Sequence, residues 1–98
     1  MSTGRRFEWD PAKAAANLAK HGVSFEEAQT VFDNPLAVIF DDEIHSLEKP
    51  REIVVGHSDR NRVLLVGFTE RAAMIRIINA RRATPRERKA YEQHLKSR

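Results

Sequence analysis

The apolar run Val63-Leu64-Leu65-Val66 constrains this chain more than any other feature. Four consecutive branched aliphatic residues, bounded by the turn-like Ser58-Asp59-Arg60-Asn61, suit a central strand covered on both faces. Strand signals stand on either side of it. Leu36 to Asp41 reads as a first strand that ends in the acidic loop Asp41-Asp42-Glu43, and Glu52 to Gly56 reads as a second, with Ile53-Val54-Val55 at its centre. Arg62 to Phe68 is the third and Met74 to Ala80 the fourth. Short turns between consecutive strands favour an antiparallel meander of three to four strands.

Helices must supply the cover, and three helix starts are written in capping chemistry. Asp10-Pro11 is an N-cap followed by proline at the first helical position. That helix is expected to run to about His21 and to stop at Gly22, with Ala12, Ala15, Ala16 and Ala19 on one face for close approach to a neighbour. Ser24-Phe25-Glu26-Glu27 is a capping box that opens a second helix. Its buried stripe is Phe25, Ala28, Val31 and Phe32, and Asn34-Pro35 ends it. Thr84-Pro85-Arg86-Glu87 opens a third helix through about Lys96. With only Ala90, Tyr91 and Leu95 as apolar content, it packs lightly and is one to move or to await a partner. The expected architecture is α+β: two N-terminal helices, the meander with its helices gathered on one side, and a C-terminal helix, all in a single domain spanning 1–98.

The net charge of +3 hides an asymmetry. From Arg71 to Arg98 nine bases face two acids, Glu87 and Glu92, whereas the first seventy residues hold eight bases and twelve acids. Basic charge gathered in one third of a small domain is a footprint for polyanions, nucleic acid above all, and equally the mark of a solvated helix face. Without cysteine, disulfides and thiolate metal sites are excluded. The histidines at 21, 45, 57 and 94 show no paired ligand spacing, so neither a metal nor another cofactor is indicated. No stretch is apolar enough for a secretory signal or a bilayer span, and the cytoplasm is the expected location.

The fourth strand and its exit, Met74 to Thr84, carry the most chemical information. Strict alternation puts Ile75, Ile77, Asn79 and Arg81 on one face and Arg76, Ile78, Ala80 and Arg82 on the other. Asn79 and Arg81 then stand at the rim of the core, where a side chain is held rigidly and can still meet a ligand. The structural alternative pairs the arginine with Glu70 or with a residue of the acidic loop.

Several blocks carry a family resemblance. Phe7-Glu8-Trp9-Asp10-Pro11 and Lys20-His21-Gly22-Val23-Ser24-Phe25-Glu26-Glu27-Ala28 resemble the opening signature of the BrnT family. Phe68-Thr69-Glu70-Arg71, Ile77-Ile78-Asn79-Ala80-Arg81-Arg82-Ala83 and Glu87-Arg88 through Tyr91 resemble its closing one. The likeness runs from Phe7 to Tyr91, with one departure: Asn79 stands where the family usually has serine. The resemblance implies a toxin of a type II toxin–antitoxin system, a ribonuclease with a RelE-like fold. It further implies an RNA substrate and a hetero-oligomer with a BrnA-type antitoxin that carries a ribbon-helix-helix DNA-binding domain.

Metal-independent cleavage of RNA by its own 2′-hydroxyl needs a base, positive charge over the phosphate, and an acid for the 5′-oxygen. Arginine suits the second task and, being permanently protonated, neither of the others. Arg81 is therefore the expected charge stabiliser, with Arg62 and Arg71 as helpers. Glu70, at a position the resemblance marks as functional, is the expected base or arginine-orienting group. The expected acid is His21, then Lys20, then Tyr91; at a helix end His21 equally serves as a capping cation. Arg71, Arg76, Arg82, Lys20, Trp9 and Tyr91 are the expected RNA contacts, Trp9 either stacking a base or packing at the helix start. The alternative is a module without catalysis that uses the basic C-terminal third to bind nucleic acid or an acidic protein.

Overall fold

The computed structural model describes residues 6–42 and 51–97. In chain order these are β1 (Arg6–Glu8), α1 (Pro11–His21), α2 (Phe25–Thr30) continued by a 3-10 turn (Val31–Asp33), and β2 (Val38–Asp41). Then come β3 (Glu52–His57), β4 (Val63–Arg71), β5 (Met74–Arg82) and α3 (Pro85–Lys96). The α+β class holds. Glu43 of the expected acidic loop, and His45, lie outside the described residues.

All three N-caps form, but the full capping box only at Thr84; the Glu27 carboxylate turns to Arg62 and Ser58 instead of back to the Ser24 amide. Asp10 accepts from the Ala12 amide at 2.8 Å and Ser24 Oγ from the Glu27 amide at 3.0 Å. Thr84 and Glu87 make the full reciprocal box, and Gly22 closes α1 in a left-handed conformation, φ 69°. β4 and β5 are joined by only two residues, Ala72 and Ala73, both at positive φ (49° and 66°), which matches the twist of a tight hairpin.

The sheet departs from the expected meander in three ways. Its order is β1-β5-β4-β3-β2, and β1 pairs parallel with β5, so a fifth strand makes it mixed. The helices, secondly, divide between the two faces. α1 and α2 cover one, where Phe25, Ala28, Val31 and Phe32 meet Val54, Leu64, Val66, Ile75, Ile77 and Ala80. α3 lies on the other, where Tyr91 packs with Val55 and Val63, flanked by Leu65 and Leu95. That arrangement buries both sides of the Val63–Val66 run, as its composition demands.

Thirdly, the register shifts between Gly67 and Phe68: Phe68 pairs with Ile77, but Gly67 pairs with Asn79. Ile78 is the extra residue of a β-bulge, and one extra residue reverses the facing of everything beyond it. Ile77 and Ala80 therefore share the α1/α2 core, while Asn79 and Arg81 turn to the opposite face from Ile75 and Ile77.

The alanine face of α1 is also not where it was expected. Ala12, Ala15, Ala16 and Ala19 are exposed, and the helix buries Asn17 instead. Asn17 Nδ2 donates to the carbonyls of Ala80 (2.8 Å) and Val23 (2.9 Å), and its Oδ1 accepts from the Ala80 amide (3.0 Å). β1 pairs with β5 only as far as Arg76. Beyond that point the outer edge of β5 would present bare backbone groups, and the carboxamide of Asn17 completes the pairing of one residue as a strand would.

Candidate active site

The bulge and the Asn17 clamp deliver the end of β5 to an open pocket of about 500 Å³, lined by Lys20, His21, Asp42, Ile53, Leu65, Gly67, Asn79, Ala80 and Arg81. Lys20 and His21 come from the last turn of α1, Asp42 from the end of β2, and Asn79 and Arg81 from β5. Gly67 makes the room. A Cβ there would lie 2.7 Å from Asn79 Oδ1, so the amide of Asn79 lies across the bare backbone of the neighbouring strand.

Arg81 is held by Glu87 of α3: Nη1 donates to Oε1 at 2.7 Å and Nη2 to Oε2 at 2.8 Å. Oε1 of Glu87 also accepts from the Thr84 amide at 2.9 Å, so the capping box anchors the pair. The Arg81 guanidinium, with help from Thr84, pulls the Glu87 carboxyl down to about 2 against the opposing effect of burial. A second Nη1 hydrogen reaches the Arg82 carbonyl at 3.5 Å. Of the five guanidinium N–H groups, the Nε–H and one Nη2–H remain without a partner among the described residues. These two form the side-on fork that fits a phosphate.

Arg62 sits differently. Its Nε donates to Glu27 Oε2 at 2.9 Å, its Nη2 donates to Glu27 Oε1, and the same Nη2 reaches the Gly22 carbonyl at 3.3 Å. Glu27 is buried and also accepts from Ser58 Oγ at 2.7 Å. Arg62, foremost, and Ser58 hold the Glu27 carboxyl below its ordinary value, against burial. This is a fold-stabilising pair, not a reserve of positive charge for a substrate.

The other expected site residues fall in three places. Lys20, His21 and Arg81 converge on the pocket. Glu70 does not join them: it pairs with Ile75 beside the hairpin turn, whereas Arg81 pairs with Leu65. Five residues of strand separate those positions, roughly 17 Å, so a Glu70–Arg81 couple does not form, and Glu87 takes its place. Arg71 and Arg76 lie at that same far end, Arg76 paired with Glu8 at 3.4 Å. Arg82 follows Arg81 but lines another pocket, where β4 begins and β5 ends. The Trp9 ring packs edge-on against Phe25, 5.9 Å between centroids, and Tyr91 is buried with its hydroxyl donating to the Leu36 carbonyl at 2.8 Å. Both aromatic side chains serve packing here. Sequence reasoning missed Asn17 and the partnership of Arg81 with Glu87. The second had a signal, since a capping-box glutamate six residues after the arginine keeps a free carboxylate oxygen.

Among the described residues no group of three or more His, Asp and Glu side chains is arranged to hold a metal ion, and no helix is long and apolar enough to cross a membrane.

A protein-family model described as the ribonuclease toxin BrnT of type II toxin–antitoxin systems matches residues 9–87. No curated protein matches the chain. Among solved structures, the crystal structure of the Brucella abortus ribonuclease toxin BrnT is similar, with a TM-score of 0.64 at 22% identity. The match covers 82% of this chain and 97% of that one, and at this identity it shows likeness of fold.

Proposed function

The chain belongs to the BrnT family of ribonuclease toxins of type II toxin–antitoxin systems, and on that premise we propose that it cuts RNA in the pocket at the end of β5 without a metal ion. The observation that carries this reading is the convergence of Lys20, His21, Asn79 and Arg81 on one cavity, with Arg81 fixed by Glu87 and its side-on fork left open.

In the proposed reaction the 2′-oxygen attacks the adjacent phosphorus, the bond to the 5′-oxygen breaks, and a 2′,3′-cyclic phosphate and a 5′-hydroxyl result. The Arg81 fork and the Lys20 ammonium stabilise the charge that gathers on the non-bridging oxygens. Imidazole and carboxylate are the proton-exchanging groups of this cavity. His21 is assigned the proton delivered to the 5′-oxygen, and Asp42 the proton taken from the 2′-hydroxyl. Asn79, in the place of the family serine, donates or accepts one hydrogen bond to the sugar-phosphate. In this reading the partner is a BrnA-type antitoxin with a ribbon-helix-helix domain, and the place of action is the cytoplasm.

Cleavage of RNA by the purified protein in the presence of a chelator tests the reading. Arg81→Ala is expected to lose roughly 10²–10³ in rate, as when one donor to a transition-state oxyanion is deleted. Normal cleavage by folded Arg81→Ala removes Arg81 from the chemistry. Salt-sensitive RNA binding with no product would favour a module that only binds.

A further inference from the structure

A second pocket, of about 380 Å³, opens where β4 begins and β5 ends, and its wall includes His57, Asn61, Arg62, Arg82, Arg88 and Glu92. Arg62 is ion-paired with Glu27. Arg82 and Arg88 are exposed and have no ion-pair partner within 4.0 Å among the described residues, Glu92 included. Two guanidinium groups with their donors unspent thus converge on one polar cavity.

No ion pair among the described residues accounts for that convergence. Like charges repel, and Arg88 lies one turn into α3, at the positive end of the helix dipole, where a cation is mildly destabilising. A ligand that brings negative charge would make both placements favourable. The position says which one. Arg81 and Arg82 are adjacent in β5, so their side chains leave the strand on opposite faces, one toward the pocket of Lys20 and His21 and the other toward this one. A polyanion crossing the end of β5 would meet both.

We propose that the Arg82/Arg88 pocket holds a second backbone phosphate of the RNA whose cleavage is assigned to the first pocket. This proposal rests on the ribonuclease reading above. Arg82 and Arg88 each present a fork to the phosphate, and His57 and Asn61 line the same wall as further hydrogen-bonding groups. The protein accordingly prefers a substrate several nucleotides long, and part of its affinity comes from a phosphate that does not react.

The test measures binding of random-sequence 2′-O-methyl oligoribonucleotides, two to eight nucleotides long, which cannot be cut, across a range of salt. The wild type is expected to gain affinity with length. In Arg82→Gln/Arg88→Gln the ratio of octanucleotide to dinucleotide affinity should fall by about tenfold or more. The slope of log affinity against log salt for the octanucleotide should flatten by about 0.7, the value for one single-strand phosphate no longer neutralised. Arg82→Lys/Arg88→Lys should recover most of the ratio. Lys13→Ala/Lys96→Ala, which removes two charges outside both pockets, should keep it.

The proposal is overturned if the Gln variant keeps the wild-type length dependence, if the Lys13/Lys96 variant loses as much, or if the wild type gains nothing from length. It is equally overturned if the Gln variant keeps RNA binding and loses only its antitoxin, for the pocket then serves protein carboxylates. A wild type that neither binds nor cuts RNA brings down the ribonuclease reading itself, a result distinct from the others.

Discussion

Arg62 and Arg81 each grip a glutamate with two N–H groups, but at different depths. The Arg62 and Glu27 side chains are 23% and 5% exposed, those of Arg81 and Glu87 41% and 34%. Removing Arg62 would leave Glu27 charged and buried, which for a broken buried pair costs about 3 kcal/mol or more. Arg62→Ala is therefore expected to lose stability at neutral pH, read as a lowered denaturation midpoint, with catalysis intact in the fraction that stays folded. The pH dependence checks the cause. Arg62 holds the folded Glu27 carboxyl below its ordinary 4.5, so the pair's stabilisation is present above that value and is lost as pH falls through the depressed one. In the variant, protonation of Glu27 relieves the burial, so the gap from wild type narrows below about pH 4.5. A gap that stays constant down to pH 3 would mean that Arg62 acts through packing. None of this pairing was legible in the sequence. The Ser24 cap on the Glu27 amide was, because it joins neighbours three residues apart, but the partner of the Glu27 carboxylate lies 35 positions along the chain and no local pattern links them.

At the scale of elements, what local chemistry determines was legible and what strand pairing determines was not. Caps, helix starts and the doubly covered third strand follow from short spacings, and all are present. The bulge at Ile78 leaves no mark in Ile75-Arg76-Ile77-Ile78-Asn79-Ala80, which reads equally well as unbroken alternation; only pairing with β4 reveals it. Asn17 was hidden for a related reason. A polar residue among alanines suggests a solvent face, and the backbone edge it satisfies belongs to a strand 63 residues later. Asn17→Leu keeps much of the side-chain volume and deprives the Ala80 amide and carbonyl of their partners. Orphaning buried backbone groups of this kind costs about 1–3 kcal/mol each. The expected outcome is a loss of about 3 kcal/mol in chemical denaturation, with faster exchange of the Ala80 amide than of its β4-bonded neighbours. Unaltered Ala80 exchange would mean that another group completes that edge.

Across the whole molecule, the sheet is a wall between two unequal cores, and the proposed chemistry depends on the smaller one. The α1/α2 side gathers most of the fully buried side chains, among them Phe25, Val31, Leu64, Val66 and Ile77. The α3 side has Tyr91 with Val55 and Val63, aided by Leu95, and is tied to the turn before β2 by the Tyr91 hydroxyl on the Leu36 carbonyl. Yet α3 carries Glu87, which holds Arg81, and Arg88, which lines the second pocket. Most of the buried core and the anchor of Arg81 are thereby placed on opposite faces of one sheet. Tyr91→Ala should separate them. Deleting a buried aromatic ring costs about 3–5 kcal/mol when the whole fold must absorb it, but here the loss is limited to the docking of α3. Hydrogen exchange is expected to show α3 amides unprotected while Leu64 and Val66 in β4 stay slow. RNA cleavage should drop toward the level of Arg81→Ala, because an arginine released from Glu87 no longer keeps its fork in the pocket. If β4 and α3 instead lose protection together, the two cores form one cooperative unit, and the chain cannot surrender its site without surrendering its fold.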